Sequence, residues 1–365
     1  MALGACIAAL FRMLWKFAPE LGRTANIRGK DGSGKPDTKL LTPSAPVLLT
    51  LFVLVLSLFA KAGAESQDKP APYVISQEVN LVALPVVVRD RQGRFVSGLQ
   101  ASTFHVREDG RPQTITLFRN EDIPVTVGLV VDHSGSMAAR QLEVIEGAQA
   151  FVQASNPQDR EFVINFGETV SFGLPPNVPF TNDANVLRAA LSSPYASGRT
   201  ALYDAILVAM QHLQEDDREK KVLILISDGG DSASRRRLSD VLRTAQSTGV
   251  VIYAIGLLDE HNADQNPKVL QKLAAITAGV AYFPNSFVEV MKVCRDIAAD
   301  IRHQYTVGYS PPDSGRPGYR KVHVSVTAPG HGKLFVRTRA GYFLPPKTQA
   351  SIQPSAAEQN PSFAR

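Results

Sequence analysis

Between about residues 122 and 305 the chain alternates short, almost continuously apolar runs with amphipathic stretches, and this alternation limits the fold more than any other feature. The runs are VTVGLVVD (125–132), EFVINFG (161–167), KVLILISDG (221–229), VVIYAIGL (250–257) and a weaker VAYFP (280–284). Strands read this way when helices cover both faces of a parallel sheet, because no face is left for polar side chains. The intervening stretches, near 138–154, 183–192, 201–214, 239–247, 268–277 and 286–303, have helical periodicity. The expected fold class is α/β, a doubly wound, mainly parallel Rossmann-like sheet over 122–305. TVSFGLPP (169–176) predicts a short antiparallel strand beside it.

The flanks are different. Residues 73–121 and 306–345 are rich in strands and lack helical patterning. VNLVALPVVVRD (79–90) is β-branched, and DRQGRF (90–95) reads as a turn. FHVREDGRPQTITLF (104–118) forms two alternating runs about Asp109-Gly110, a hairpin signal, since both turn residues tolerate positive φ. The first segment is too short for a comfortable independent domain and is expected to pack on the α/β region after it. In the second, QYTVGYSPP (304–312), RKVHVSVTAP (320–329) and KLFVRTRAGYF (333–343) predict three strands. Whether the two segments join into one accessory β-domain stays open at this point. Residues 346–365, rich in Pro, Ser, Gln and Ala, are expected to form a disordered tail.

Charge and cysteine usage exclude several classes. The formal net charge of +5 would ordinarily suggest nucleic acid or an anionic membrane as partner. However, residues 1–64 hold eight of the 39 basic and three of the 34 acidic residues, which leaves 31 of each. The basic excess belongs to this leader, so no nucleic-acid partner is expected. Within the leader, Val47–Ala60 is an uncharged apolar run of 14 residues, with Ala62-Gly63-Ala64 just beyond it. A spanning helix needs about 20 apolar residues and a signal core roughly 7–15, so this reads as a cleaved secretory signal. A secreted or periplasmic location is therefore expected, with an uncleaved membrane anchor as the alternative. Cys6 lies in the leader, which leaves Cys294 alone in the exported part, among apolar neighbours that suit a buried thiol.

Ligands of open parallel sheets bind beyond the carboxyl ends of the strands. The first strand ends in Asp132-His133-Ser134-Gly135-Ser136 and the central one in Ser227-Asp228-Gly229-Gly230-Asp231. The loop before the helix at 201–214 is Ser197-Gly198-Arg199-Thr200. Carboxylates and hydroxyls are the candidate ligands in all three, and an all-oxygen set suits a hard cation, Mg²⁺ first, with Mn²⁺ or Ca²⁺ as alternatives.

Asp132-His133-Ser134-Gly135-Ser136 resembles the Asp-x-Ser-x-Ser signature of von Willebrand factor type A (VWA) domains, and the resemblance covers about half the chain. In that family the signature joins a downstream Thr and a downstream Asp in a metal-ion-dependent adhesion site (MIDAS). The resemblance implies metal ligands at Asp132, Ser134, Ser136, Thr200 and Asp228. The flanking pieces GLQASTFHVREDGRPQTITLF, HQYTVGYSPP and VRTRAGYF resemble a bacterial group of VWFA-related proteins common in acidobacteria. Two carboxylates and three neutral hydroxyls leave a divalent cation incompletely neutralised. It would then take a carboxylate from an Asp or Glu of a protein partner. The expected function is metal-dependent adhesion or assembly, without catalysis.

Other readings are weaker on the residues. The serines could simply cap the helix after them. A serine-hydrolase triad cannot be built from adjacent Asp132, His133 and Ser134, whose side chains point in different directions. A metal-dependent hydrolase has only His133 as a nearby base, and it stands as the alternative beside a docking subunit of a larger envelope machine. His133 is expected near the metal, toward the partner surface. Asp231 is either a turn former or a support for a ligand. Arg235-Arg236-Arg237 reads as a solvated helix start, with a position near the metal face as the sharper alternative.

Overall fold

The computed structural model describes residues 81–120, 122–192, 198–259, 262–311 and 317–344. The chain divides into two units, Met1–Ser76 and Gln77–Arg365, and every described residue belongs to the second. The leader with its signal segment and the 346–365 tail lie outside the described residues, as do Cys6 and Ser197.

The central sheet has six strands: β5 (Thr126–Asp132), β6 (Arg160–Phe166), β7 (Val170–Phe172), β8 (Lys221–Ser227), β9 (Val251–Gly256) and β10 (Ala281–Tyr282). Their order across the sheet is β10-β9-β8-β5-β6-β7. Pairing is parallel except for β7, which runs antiparallel to β6. Two rows of helices cover the faces. α1 (Gln141–Ala154) packs between α2 (Ala184–Leu191) and α6 (Phe287–Arg302), and α4 (Leu238–Thr248) between α3 (Leu202–Leu213) and α5 (Pro267–Ile276). Gly147 allows α1 and α6 to approach, since a Cβ there would stand 2.8 Å from Val290. The α/β class with a mainly parallel central sheet is as expected. The first helix begins later than its periodicity suggests, because Gly135–Arg140 form a 3₁₀ turn before α1.

The two flanking segments pair with one another. β1 (Val82–Arg89), β4 (Ile115–Arg119), β11 (Tyr305–Tyr309) and β13 (Phe335–Arg337) form one sheet, ordered β13-β1-β11-β4. β2 (Phe104–Glu108), β3 (Arg111–Gln113), β12 (Gly318–Val326) and β14 (Gly341–Leu344) form another, ordered β14-β12-β2-β3. Leu84, Val86, Phe104, Val106, Tyr305 and Val307 fill the core between them. The Asp109-Gly110 hairpin forms with both residues at positive φ, 47° and 80°. Two expected strands each split across the sheets. The run after Gly110 divides into β3 and β4, and KLFVRTRAGYF divides into β13 and β14. Gly341 makes the second crossing possible, because a Cβ would sit 2.2 Å from the carbonyl oxygen of Arg320.

Asp300, fully buried near the end of α6, locks this sandwich to the α/β layer. It accepts hydrogen bonds from Arg89 of β1 (3.0 Å), Tyr253 of β9 (2.5 Å) and Arg337 of β13. Among the described residues no helix is long and apolar enough to cross a membrane.

Candidate metal centre

The register of the central sheet places Val131 of β5 beside Ile226 of β8, so Asp132 and Ser227 end adjacent strands. The Ser227 hydroxyl donates to Oδ2 of Asp132 at 2.6 Å, and the Ser134 amide donates to Oδ1 at 2.9 Å. The loop after β5 then turns so that the Ser134 and Ser136 hydroxyls lie 3.2 Å apart. Ser136 donates to Oδ2 of Asp228 at 2.8 Å. Four of the five expected ligands, Asp132, Ser134, Ser136 and Asp228, are thus brought together.

Thr200 sits in the adjoining loop. Its amide donates to Ser232 Oγ (3.0 Å), and its carbonyl accepts from the amides of Ser232 (2.8 Å) and Ala233 (2.9 Å). Ala201 N–H bonds the carbonyl of Gly167, next to Phe166, whose carbonyl accepts from His133 N–H. The Thr200 loop is therefore clasped between the ends of β6 and β8. Its hydroxyl makes no hydrogen bond to the other four among the described residues.

The electrostatics point to a cation. Asp132 is 2% and Asp228 4% exposed, and neither has a lysine or arginine partner among the described residues. Burial, reinforced by the Asp228 charge, outweighs the hydroxyl and amide hydrogen bonds and pushes the Asp132 carboxyl up to about 6. Two buried carboxylates facing hydroxyls, with no internal positive charge, form a set that a divalent cation fits. No group of three or more His, Cys, Asp or Glu suited to a metal occurs among the described residues.

Several supporting residues were not foreseen. Asn262 donates its amide to Oδ2 of Asp228 at 2.7 Å, and Gly230 N–H donates to Oδ1 at 2.9 Å. Gly229, at φ +85°, lets the 262–266 loop close in, since a Cβ would meet the Asn266 carbonyl at 2.4 Å. Only the paired glycines after Asp228 hinted at this close approach. Asp231 proves to be a turn and helix-start residue, accepting from Tyr203 N–H (3.2 Å) and Ser234 Oγ (2.5 Å). His133 departs from its expected place. It is 4% exposed, its Nε2 lies 2.9 Å from Asn165 Oδ1, and burial lowers its pKa. The ring turns into the protein, toward Asn165, rather than outward. Cys294 is buried, which pushes its thiol up to about 12.

A doubly wound sheet with carboxylates and hydroxyls gathered at its strand ends has the architecture of α/β domains, whose ligands bind at that edge. The sequence profile of the von Willebrand factor type A domain matches residues 126–296, and that span is a VWA domain. Such domains are commonly metal-dependent protein-interaction modules. The chain is 26% identical over 230 residues to human inter-alpha-trypsin inhibitor heavy chain H4, covering 59% of this chain and 23% of that protein. It is 25% identical over 167 residues to the uncharacterized protein sll0103 of Synechocystis, covering 45% of this chain and 38% of that one. The chain thus spans well under half the length of either relative. Among solved structures it is similar to proximal thread matrix protein 1 of the mussel byssus with a zinc-occupied MIDAS motif. That likeness has 17% identity and a TM-score of 0.44, covering 53% of this chain and 50% of the other.

Proposed function

We propose that this chain is an exported protein-binding module that captures an acidic group of a partner protein through a divalent cation. Asp132, Ser134, Ser136, Thr200 and Asp228 would hold the ion, Mg²⁺ first, with Mn²⁺ or Ca²⁺ suited to the same oxygens. Bound there, the ion supplies an incompletely neutralised positive charge that favours a carboxylate ligand.

The observation that carries this reading is the pair of buried, cation-free carboxylates set among hydroxyls. The chain's own residues pre-shape the cleft. Ser227 and the Ser134 amide orient Asp132, while Asn262 and Gly230 orient Asp228. A hydrolase using the same site lacks support, because the His133 imidazole is turned toward Asn165. Export rests on the apolar run 47–60 and the small residues just beyond it.

Capture of surface proteins by the full chain in Mg²⁺ and in EDTA, with wild type and Asp132→Ala side by side, tests the proposal. Retention that needs both Mg²⁺ and Asp132, without turnover of peptide or phosphoester substrates, is the expected result. Equal capture under all four conditions would overturn it.

A further inference from the structure

Arg235 and Arg236, the first two residues of the Arg235-Arg236-Arg237 run, line a groove that the metal-site reading does not use. Residues 231–237 are strapped onto the start of α3. Beyond the Thr200 carbonyl bonds, the Asp204 carboxylate accepts from the amides of Arg235 (2.9 Å) and Arg236 (3.0 Å). These bonds fix the run beside the start of α3, where all three arginines are exposed and Arg237 caps α4, the solvated helix start that was expected.

Beside it, between α3 and α4, opens a cavity of about 870 Å³. It reaches from Ala201 and Ala233, next to Thr200 and its partner loop, down to Gln214 and Thr248. α3 spans about 18 Å at 1.5 Å per residue, the reach of five or six residues of extended chain.

The wall carries three arginines and three carboxylates, and no ion pair joins them among the described residues. Arg235, Arg236 and Arg243 are exposed in the groove, and none has an ion pair or side-chain hydrogen bond among the described residues. Of the carboxylates there, Asp204 is occupied by two amides and Asp240 by the Arg237 amide at 3.1 Å. Glu168 alone is uncommitted among the described residues. Half-buried Leu207 and Val208 supply an apolar floor.

We infer that this groove takes an extended acidic segment of the same partner whose carboxylate the metal site captures. The inference rests on the proposed function for its partner, but on separate residues for its site. Free guanidinium groups bind carboxylates through paired, charge-assisted hydrogen bonds. A segment anchored at one end raises the effective concentration of its remainder at the groove, so two modest contacts make one firm one.

The probe is a fluorescein-labelled peptide of glutamates, with a serine peptide of equal length as control, read by anisotropy on the full chain. The groove variants are the triple Arg235→Gln/Arg236→Gln/Arg243→Gln and, with no change of charge, Gln211→Trp, which fills the cavity from an exposed position. A matched triple, Arg107→Gln/Arg111→Gln/Lys333→Gln, removes the same charge from the β-sandwich. We expect the glutamate peptide to bind wild type and Asp132→Ala even in EDTA, and each groove variant to weaken it about tenfold. The sandwich triple is expected to change it by less than about twofold. Unchanged binding in both groove variants, or equal loss in the sandwich triple, would overturn the inference. If Mg²⁺ adds affinity in wild type but not in Asp132→Ala while the groove variants bind normally, the groove falls and the metal reading stands. Loss in the groove variants with no effect of Mg²⁺ anywhere would support the groove and count against the metal reading.

Discussion

The Ser136 hydroxyl lies 2.8 Å from Oδ2 of Asp228, although 92 positions separate the two residues. This one contact joins the loop after β5 to the loop after β8. It also leaves Ser136 within reach of Ser134, so the hydroxyls and the carboxylate form one polar surface. Ser136→Ala is expected to weaken Mg²⁺ binding about tenfold while changing unfolding free energy by about 1 kcal/mol or less, because the residue is exposed on one side. Metal titration and urea unfolding of the same variant separate the two effects.

Asp300 gathers two arginines and a tyrosine at zero exposure, joining β1, β9 and β13 to α6. Asp300→Ala leaves Arg89 and Arg337 without their shared acceptor, and removing one partner of a buried ion pair costs about 3–5 kcal/mol. Arg89 is partly exposed, so the lower end of that range is expected. Denaturant unfolding measures it, and a loss below about 1 kcal/mol would show that the junction is not held this way.

Glu161, 2% exposed, has one carboxylate oxygen with no hydrogen-bond partner. Burial, and then the nearby Asp159 charge, push its pKa from 4.5 up to about 8. Between these values the folded chain keeps a proton that the unfolded chain releases. Stability must therefore fall as pH rises through this window, by up to about 1.4 kcal/mol per pH unit from this group. Below the window both states are protonated, and above it the penalty is complete. Glu161→Gln should remove this component of the slope in urea unfolding between pH 5 and 8. An unchanged slope would show that Glu161 ionises normally.

Gly229 combines φ +85° with a backbone carbonyl 2.4 Å from where a Cβ would stand. Gly229→Ala must push the 262–266 loop away, and with it Asn262, which orients Asp228. The expected cost is about 1–3 kcal/mol of stability together with weakened metal binding. Mg²⁺ affinity equal to wild type would mean that the loop does not support the site.

The buried strands could be read in advance because β5, β6, β8 and β9 are buried on both faces and mostly apolar, leaving no regular polar alternation to confuse their type. Asp132, Ser134 and Ser136 were legible because one short loop carries them, and Asp109-Gly110 because the turn demands positive φ at both residues. The splits after Gly110 and within 333–343 were not legible, since a strand that changes sheets keeps its alternation across the bend. Asn262 was not legible because a polar loop residue is ordinary until a partner is placed opposite it, and Ser227 stood in the strand-end cluster without its bond to Asp132 being readable. His133 misled because its neighbours line the cleft, while its own ring follows the pleat inward to Asn165.

Calorimetric titration of Mg²⁺ into the full chain, beside Asp132→Ala and Asp228→Ala, bears most directly on whether oxygens from separate loops hold a cation. One bound ion per chain in the wild type, lost in both variants, is the predicted result. Identical binding in all three proteins, or none in the wild type with either Mg²⁺ or Mn²⁺, would contradict it.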